Sequence, residues 1–115
     1  MGNDPFGQHL VSTMESFGVD TRWMIRDPAY FTTLAFVSLM ENGERDFYFN
    51  RGADRELSLD DITGMNTRNY DIFHFGSATA FLPGPLQGTY REILMRAKKE
   101  GGFVSFDPNY RQLLF

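Results

Sequence analysis

The chain has 115 residues, enough for one modest core, and 42% apolar with 16% aromatic residues can fill it. Fifteen acidic against eleven basic side chains give a net charge of -4, and no charged block is longer than Arg96-Ala97-Lys98-Lys99-Glu100, which argues against nucleic-acid and anionic membrane partners. The absence of cysteine excludes disulfides and thiolate metal sites, His9 and His74 are too few for a histidine zinc site without carboxylate help, and no apolar run or basic leader marks a membrane or export segment, so a cytoplasmic soluble protein is the default expectation.

The first helix is signalled by Asp4 as its cap and Pro5 at the first helical position, where a missing N–H costs nothing. Phe6, Leu10, Met14 and Phe17 then form one apolar face, and Gly18 ends the helix. Gly2-Asn3-Asp4-Pro5-Phe6-Gly7 lacks the lysine and the glycine spacing of a nucleotide loop and reads as a cap. Trp23-Met24-Ile25 reads as a short strand, and His9 as exposed.

Residues 32–51 read as a hairpin, with strands at 33–40 and 45–51 joined by Asn42-Gly43, which supplies positive-φ turn chemistry. On the second strand Arg45, Phe47, Phe49 and Arg51 share one face and Asp46, Tyr48 and Asn50 the other. Ser58 is expected to cap a short turn through Asp60-Asp61-Ile62.

Ile72-Phe73-His74-Phe75-Gly76 has no polar alternation and suits a strand buried on both faces, with His74 a satisfied core histidine. Leu86, Tyr90, Ile93, Leu94 and Ala97 mark an amphipathic helix ending at Gly101-Gly102, and 103–107 reads as a second buried strand. Strand, helix and strand at 71–107, about 35 residues, imply a βαβ crossover with parallel strands. The scattered methionines Met14, Met24, Met40, Met65 and Met95 read as packing.

Two constellations carry chemistry. Asp107-Pro108-Asn109-Tyr110-Arg111 leaves the last strand, at the end of an α/β sheet where ligands bind. Asp107 can accept hydrogen bonds or help hold a hydrated cation, while Asn109 and Arg111 can grip oxygens. The alternative is that Asp107-Pro108-Asn109 is only a turn. Phe49 and Arg51 present an aromatic wall and a cation to one side of the hairpin; the alternative makes Phe49 core and Arg51 a solvated edge charge.

Gly2-Asn3-Asp4-Pro5-Phe6-Gly7-Gln8-His9-Leu10 resembles the Gly-x-Asp-x-Phe-Gly-x-x-Leu segment of ribokinase-like (PfkB-type) sugar kinases. The runs Leu34-Ala35-Phe36-Val37-Ser38-Leu39 and Gly43-Glu44-Arg45-Asp46-Phe47-Tyr48-Phe49-Asn50-Arg51-Gly52-Ala53-Asp54 are similar to the lid strands of the fructokinase and 2-keto-3-deoxygluconate kinase branch. Phe73-His74-Phe75-Gly76-Ser77 and Phe106-Asp107-Pro108-Asn109-Tyr110-Arg111 continue the likeness in the family's order.

The resemblance implies an α/β fold, part of a ribokinase-like parallel sheet with an antiparallel lid hairpin. It also implies transfer of the ATP γ-phosphoryl group to a sugar hydroxyl with magnesium, on fructose or 2-keto-3-deoxygluconate. Phe49, Arg51, Asn109 and Arg111 correspond to sugar contacts, and Asp107 to a phosphate or magnesium-water corner. The family's Gly-Ala-Gly-Asp-like signature, which holds the general base and the anion hole, is expected beyond Phe115. The chain is thus expected to be a single incomplete segment over 1–115, with no catalytic residue and no ATP or magnesium bound by itself, and with the 72–75 and 103–106 runs facing solvent in isolation. The competing expectation is a non-catalytic module whose hairpin binds a partner or a second copy.

Overall fold

The computed structural model describes residues 1–76 and 79–109. It comprises helix α1 (Pro5–Ser16), strands β1 (Leu34–Leu39) and β2 (Arg45–Asn50), strand β3 (Ile72–Gly76), helix α2 (Pro85–Lys99) and strand β4 (Phe103–Asp107). Short 3-10 turns at Ala53–Glu56, Asp60–Ile62 and Thr67–Asn69 lie between β2 and β3. The chain divides into two compact units, Met1–Asp54 and Arg55–Phe115. This is an α/β architecture with one antiparallel hairpin and one parallel pair.

In the first unit, α1 starts as its sequence requires. Asp4 Oδ1 accepts from the N–H of Gly7 at 2.8 Å and Pro5 opens the helix, while Gly18 at φ 74° ends it. The helix buries Gly7 and Val11, whereas Phe6, Leu10, Met14 and Phe17 are exposed. The apolar face is present at helical spacing, but no described element of this unit covers it.

Trp23-Met24-Ile25 is not a strand. The segment turns through a Met24 N–H to Thr21 carbonyl bond of 2.9 Å, and its neighbours are held by single contacts to the N-terminus rather than by a ladder. The terminal ammonium donates to the Ile25 carbonyl at 3.0 Å, and Gly2 forms an isolated parallel bridge with Asp27. Apolar propensity without a neighbouring ladder does not make a strand.

The hairpin forms where it is expected, its strands paired antiparallel from Leu34 opposite Asn50 to Leu39 opposite Arg45. Gly43 at φ 81° makes the turn, and Asn42 Oδ1 accepts from the Glu44 N–H at 3.0 Å. Phe47 and Phe49 stack on one face with centroids 6.3 Å apart, and Phe36 meets Tyr48 on the other, also at 6.3 Å.

In the second unit β3 and β4 pair in parallel, from Ile72 opposite Phe103 to Gly76 opposite Asp107, with α2 packed against them. Ala97 and Thr89 of α2 are buried, and Phe75 is the buried residue of β3. Tyr90 meets the edge of Phe75 at a centroid distance of 5.0 Å and donates to the Gly76 carbonyl at 2.7 Å. Gly102 lets the strand enter beneath the helix, because a Cβ there would stand 2.7 Å from the Phe73 ring.

Neither strand is buried on both faces. Ile72 is 69% exposed and Phe103 68%, because α2 covers one face of a two-stranded sheet and no other described element of this unit covers the second. His74 is therefore exposed rather than core, with Nδ1 3.3 Å from the Ser105 hydroxyl across the pair. His9 is exposed, and Met14, Met40 and Met95 lie on the surface instead of packing. The Ser58 reading is also reversed. Asp61 Oδ2 accepts from the Ser58 N–H at 2.7 Å and from its hydroxyl at 2.8 Å, so the carboxylate caps the serine. Among the described residues no helix is long and apolar enough to cross a membrane.

Candidate functional site

The candidate residues fall into the two units, and each group is built by its own unit. In the first, the alternation of β2 turns Phe49 to the same side as Phe47, where it is half-buried opposite Ala35. Arg51 follows the last residue of the strand. Its side chain is only 15% exposed, so it is not a solvated edge charge.

The guanidinium lies against Asp54, with Nε 3.3 Å and Nη2 3.2 Å from the same carboxylate oxygen, Oδ2. Oδ1 of Asp54 accepts from the Thr33 hydroxyl, which in turn accepts from the Gly52 N–H at 2.8 Å. The corner is tightly closed around Gly52. The Ala53 N–H donates to the Phe31 carbonyl at 2.8 Å, and a Cβ on Gly52 would collide with that carbonyl and meet the Phe31 ring at 2.8 Å.

Asp54 and Thr33 were not singled out in the sequence. The Arg51-x-x-Asp54 spacing was the available signal, since opposite charges three apart meet when the backbone turns helically. Thr33, 21 positions from Asp54, has no local signature.

In the second unit, Asp107 ends β4 and is exposed; its Oδ1 accepts from the Asn109 N–H at 2.9 Å. Asn109 takes φ 39°, a left-handed value that asparagine tolerates. The Asp107-Pro108-Asn109 segment is therefore an aspartate-closed turn, which also fixes a carboxylate and an amide at a strand end. Arg111 lies outside the described residues.

The same unit has an open groove of about 660 Å³ lined by Phe81, Tyr90, Leu94, Phe103 and Phe106, with Arg91 and Lys98 beside them. Among the described residues that line it there is no acid to serve as a base. Burial raises the Tyr90 phenol above its ordinary pKa. Among the described residues no three His, Asp or Glu side chains converge on a metal-sized site.

The family model described as pfkB family carbohydrate kinase matches residues 1–114. The chain belongs to the pfkB family of carbohydrate kinases. Among its relatives, a fructokinase of Vibrio alginolyticus is 37% identical over 113 residues, which are 96% of this chain and 36% of that protein. Fructokinase-1 of Zea mays is 33% identical over 117 aligned positions, covering 100% of this chain and 36% of the relative.

Solved structures agree. Fructokinase from Xylella fastidiosa superposes with a TM-score of 0.87 at 32% identity, over 100% of this chain and 37% of that one. Fructokinase from Vibrio cholerae O395, in a form with fructose, ADP and calcium ion bound, superposes at 0.79 with 30% identity, again over 100% of this chain and 37% of the other. The pfkB-family chain described here thus spans about 36% of the length of the relatives it matches.

Proposed function

We propose that these residues form the lid and sugar-binding segment of an ATP-dependent, fructokinase-like sugar kinase, incomplete as a catalyst by themselves. The observation that carries the reading is the oriented, largely buried guanidinium of Arg51 at the end of the hairpin, in a chain similar to fructokinases over its whole length. A planar fork of N–H donors suits the vicinal oxygens of a polyol or the carboxylate of an acid sugar. Phe49 supplies an apolar wall beside it. Asn109 and Arg111 are likewise assigned to sugar contacts, and Asp107 to the phosphate or the water shell of a magnesium ion.

In the reaction the sugar hydroxyl loses its proton, its oxygen bonds to the γ-phosphorus, and the bond to ADP breaks. Catalysis of such a transfer rests on positioning and charge stabilisation. The residues named here position the sugar. The general base and the anion hole are assigned to chain outside these 115 residues, which is supported by the matched residues making up only 36% of a relative's length. ATP and magnesium belong to the complete kinase. The hairpin at 32–51 is the lid and the 71–107 crossover part of the sheet, in one segment of a cytoplasmic enzyme.

Binding of fructose and of 2-keto-3-deoxygluconate to the full-length protein carrying Arg51→Ala tests this reading. A selective loss for the acid sugar assigns the keto-acid branch, and an equal loss assigns a polyol grip. Unchanged binding of both sugars contradicts the assignment.

Self-association is a second reading favoured by one observation. Leu39 is 73% exposed, Tyr48 69% and Phe36 56%, so the hairpin offers apolar surface on both faces to a second copy or a partner. A concentration series by analytical ultracentrifugation decides it: a monomer throughout contradicts the dimer.

A further inference from the structure

Arginine side chains at a strand end are ordinarily free to sample many rotamers, yet Arg51 is held by its edge. Asp54 takes both Nε and Nη2 on one oxygen, at 3.3 and 3.2 Å, and its own side chain is 24% exposed. Its second oxygen is tied to the Thr33 hydroxyl, and Thr33 is tied to the Gly52 N–H at 2.8 Å. The contacts therefore form a closed circuit. It runs from the end of β2 through the 3-10 turn that holds Asp54 to the residue before β1, and back to the backbone beside Arg51.

We propose that Asp54 is a positioning residue for sugar binding: it fixes the guanidinium plane of Arg51, and Thr33 fixes Asp54. The inference rests on the reading of Arg51 as a sugar contact and extends it to two residues that do not themselves touch the sugar. Because two N–H groups converge on one carboxylate oxygen, rotation of the guanidinium breaks both contacts together. An arginine aligned before the sugar arrives loses less freedom on binding, which strengthens binding without adding a contact. Such help is the same in the bound ground state and in the transition state. It lowers KM and leaves kcat alone.

The test is a double-mutant cycle in the full-length protein, reading KM and kcat for fructose at saturating ATP. Arg51→Ala is expected to raise KM by about tenfold or more, the scale of a charge-assisted hydrogen bond. Asp54→Ala is expected to raise KM roughly threefold to tenfold with kcat held, and the double variant to match Arg51→Ala alone, because a residue acting through another adds nothing once that other is gone. Thr33→Val should raise KM and Thr33→Ser should restore it.

If the two single effects multiply in the double variant, or if Asp54→Ala lowers only the melting temperature while KM stays put, the positioning role is overturned and Asp54 is a structural ion pair. An unchanged KM in Arg51→Ala overturns the sugar-contact reading and this inference with it. Should Asp54→Ala fail to fold, Asp54→Asn keeps the shape and an acceptor oxygen while removing the charge. A wild-type KM in both Asp54→Asn and Thr33→Val would then overturn the proposal.

Discussion

Asp4 binds Thr32 twice: the backbone N–H of Thr32 donates to Asp4 Oδ2 at 2.7 Å and its hydroxyl donates to Oδ1 at 2.7 Å. The same carboxylate caps α1 through Gly7, and the Thr32 hydroxyl also accepts from the Gly2 N–H at 3.0 Å. One acid therefore joins the helix start to the segment that leads into β1.

This arrangement gives an acid-sensitive N-terminal unit. The N–H of Gly7, then the N–H and hydroxyl of Thr32, stabilise the ionised carboxyl and hold its pKa below the ordinary 3.8. A pKa lowered by folding contributes stability that is fully present above 3.8 and is lost as pH falls through the folded value. Urea melts of the wild type and Asp4→Asn at several pH values check this: the gap between them should be constant near neutrality and close below pH 3.8. Thr32→Val should cost about 1–3 kcal/mol at neutral pH, since it leaves the buried Gly2 N–H without its acceptor.

Gly52→Ala should destabilise the Arg51 corner by about 1–3 kcal/mol, the range for forcing a methyl into packed structure. The added carbon meets backbone, the Phe31 carbonyl, which cannot swing aside as a flexible side chain would. Thermal melting reads the loss. The substitution should also raise KM for the sugar if the corner aligns Arg51.

Tyr90→Phe should cost about 1 kcal/mol or less, because it removes a single hydrogen bond to the exposed Gly76 and keeps the ring contacts with Phe75 and Phe81. The folded phenol titrates above its ordinary value of 10.0, so its stabilisation is present below pH 10 and disappears as pH rises through the folded pKa. Chemical denaturation from pH 8 to 11 should show the two proteins converging at the alkaline end.

Phe103→Ala separates a strand face left open from one covered by further chain. In the 115 residues alone Phe103 is 68% exposed, and its loss should change stability by no more than about 0.5 kcal/mol. In a longer kinase that covers this face, the same substitution should cost about 3–5 kcal/mol. Equal small effects in both would contradict the assignment of further chain over this face.

The elements with local signals were legible in the sequence. Asp4 and Pro5 announce α1, Gly43 the hairpin turn, and the apolar runs around an amphipathic helix the parallel pair. Burial was not legible for β3 and β4, because a run without polar alternation reports the environment a strand is suited to, not whether covering elements are at hand. Trp23-Met24-Ile25 failed for want of a ladder. At the candidate site, Phe49 and Arg51 were singled out by alternation and Asp107 and Asn109 by strand-end position, their sugar and phosphate roles being implied only by the family resemblance. The circuit through Thr33 and Asp54 was not, since a hydroxyl and a carboxylate 21 residues apart carry no shared pattern.

The most direct test is ADP release coupled to sugar phosphorylation, measured on the 115 residues and on the full-length protein with fructose and with 2-keto-3-deoxygluconate. The account predicts background release from the 115 residues with either sugar, and sugar-dependent release from the full-length protein. Turnover by the 115 residues alone would contradict their incompleteness, and a full-length protein that releases no ADP with either sugar would contradict the kinase reading itself.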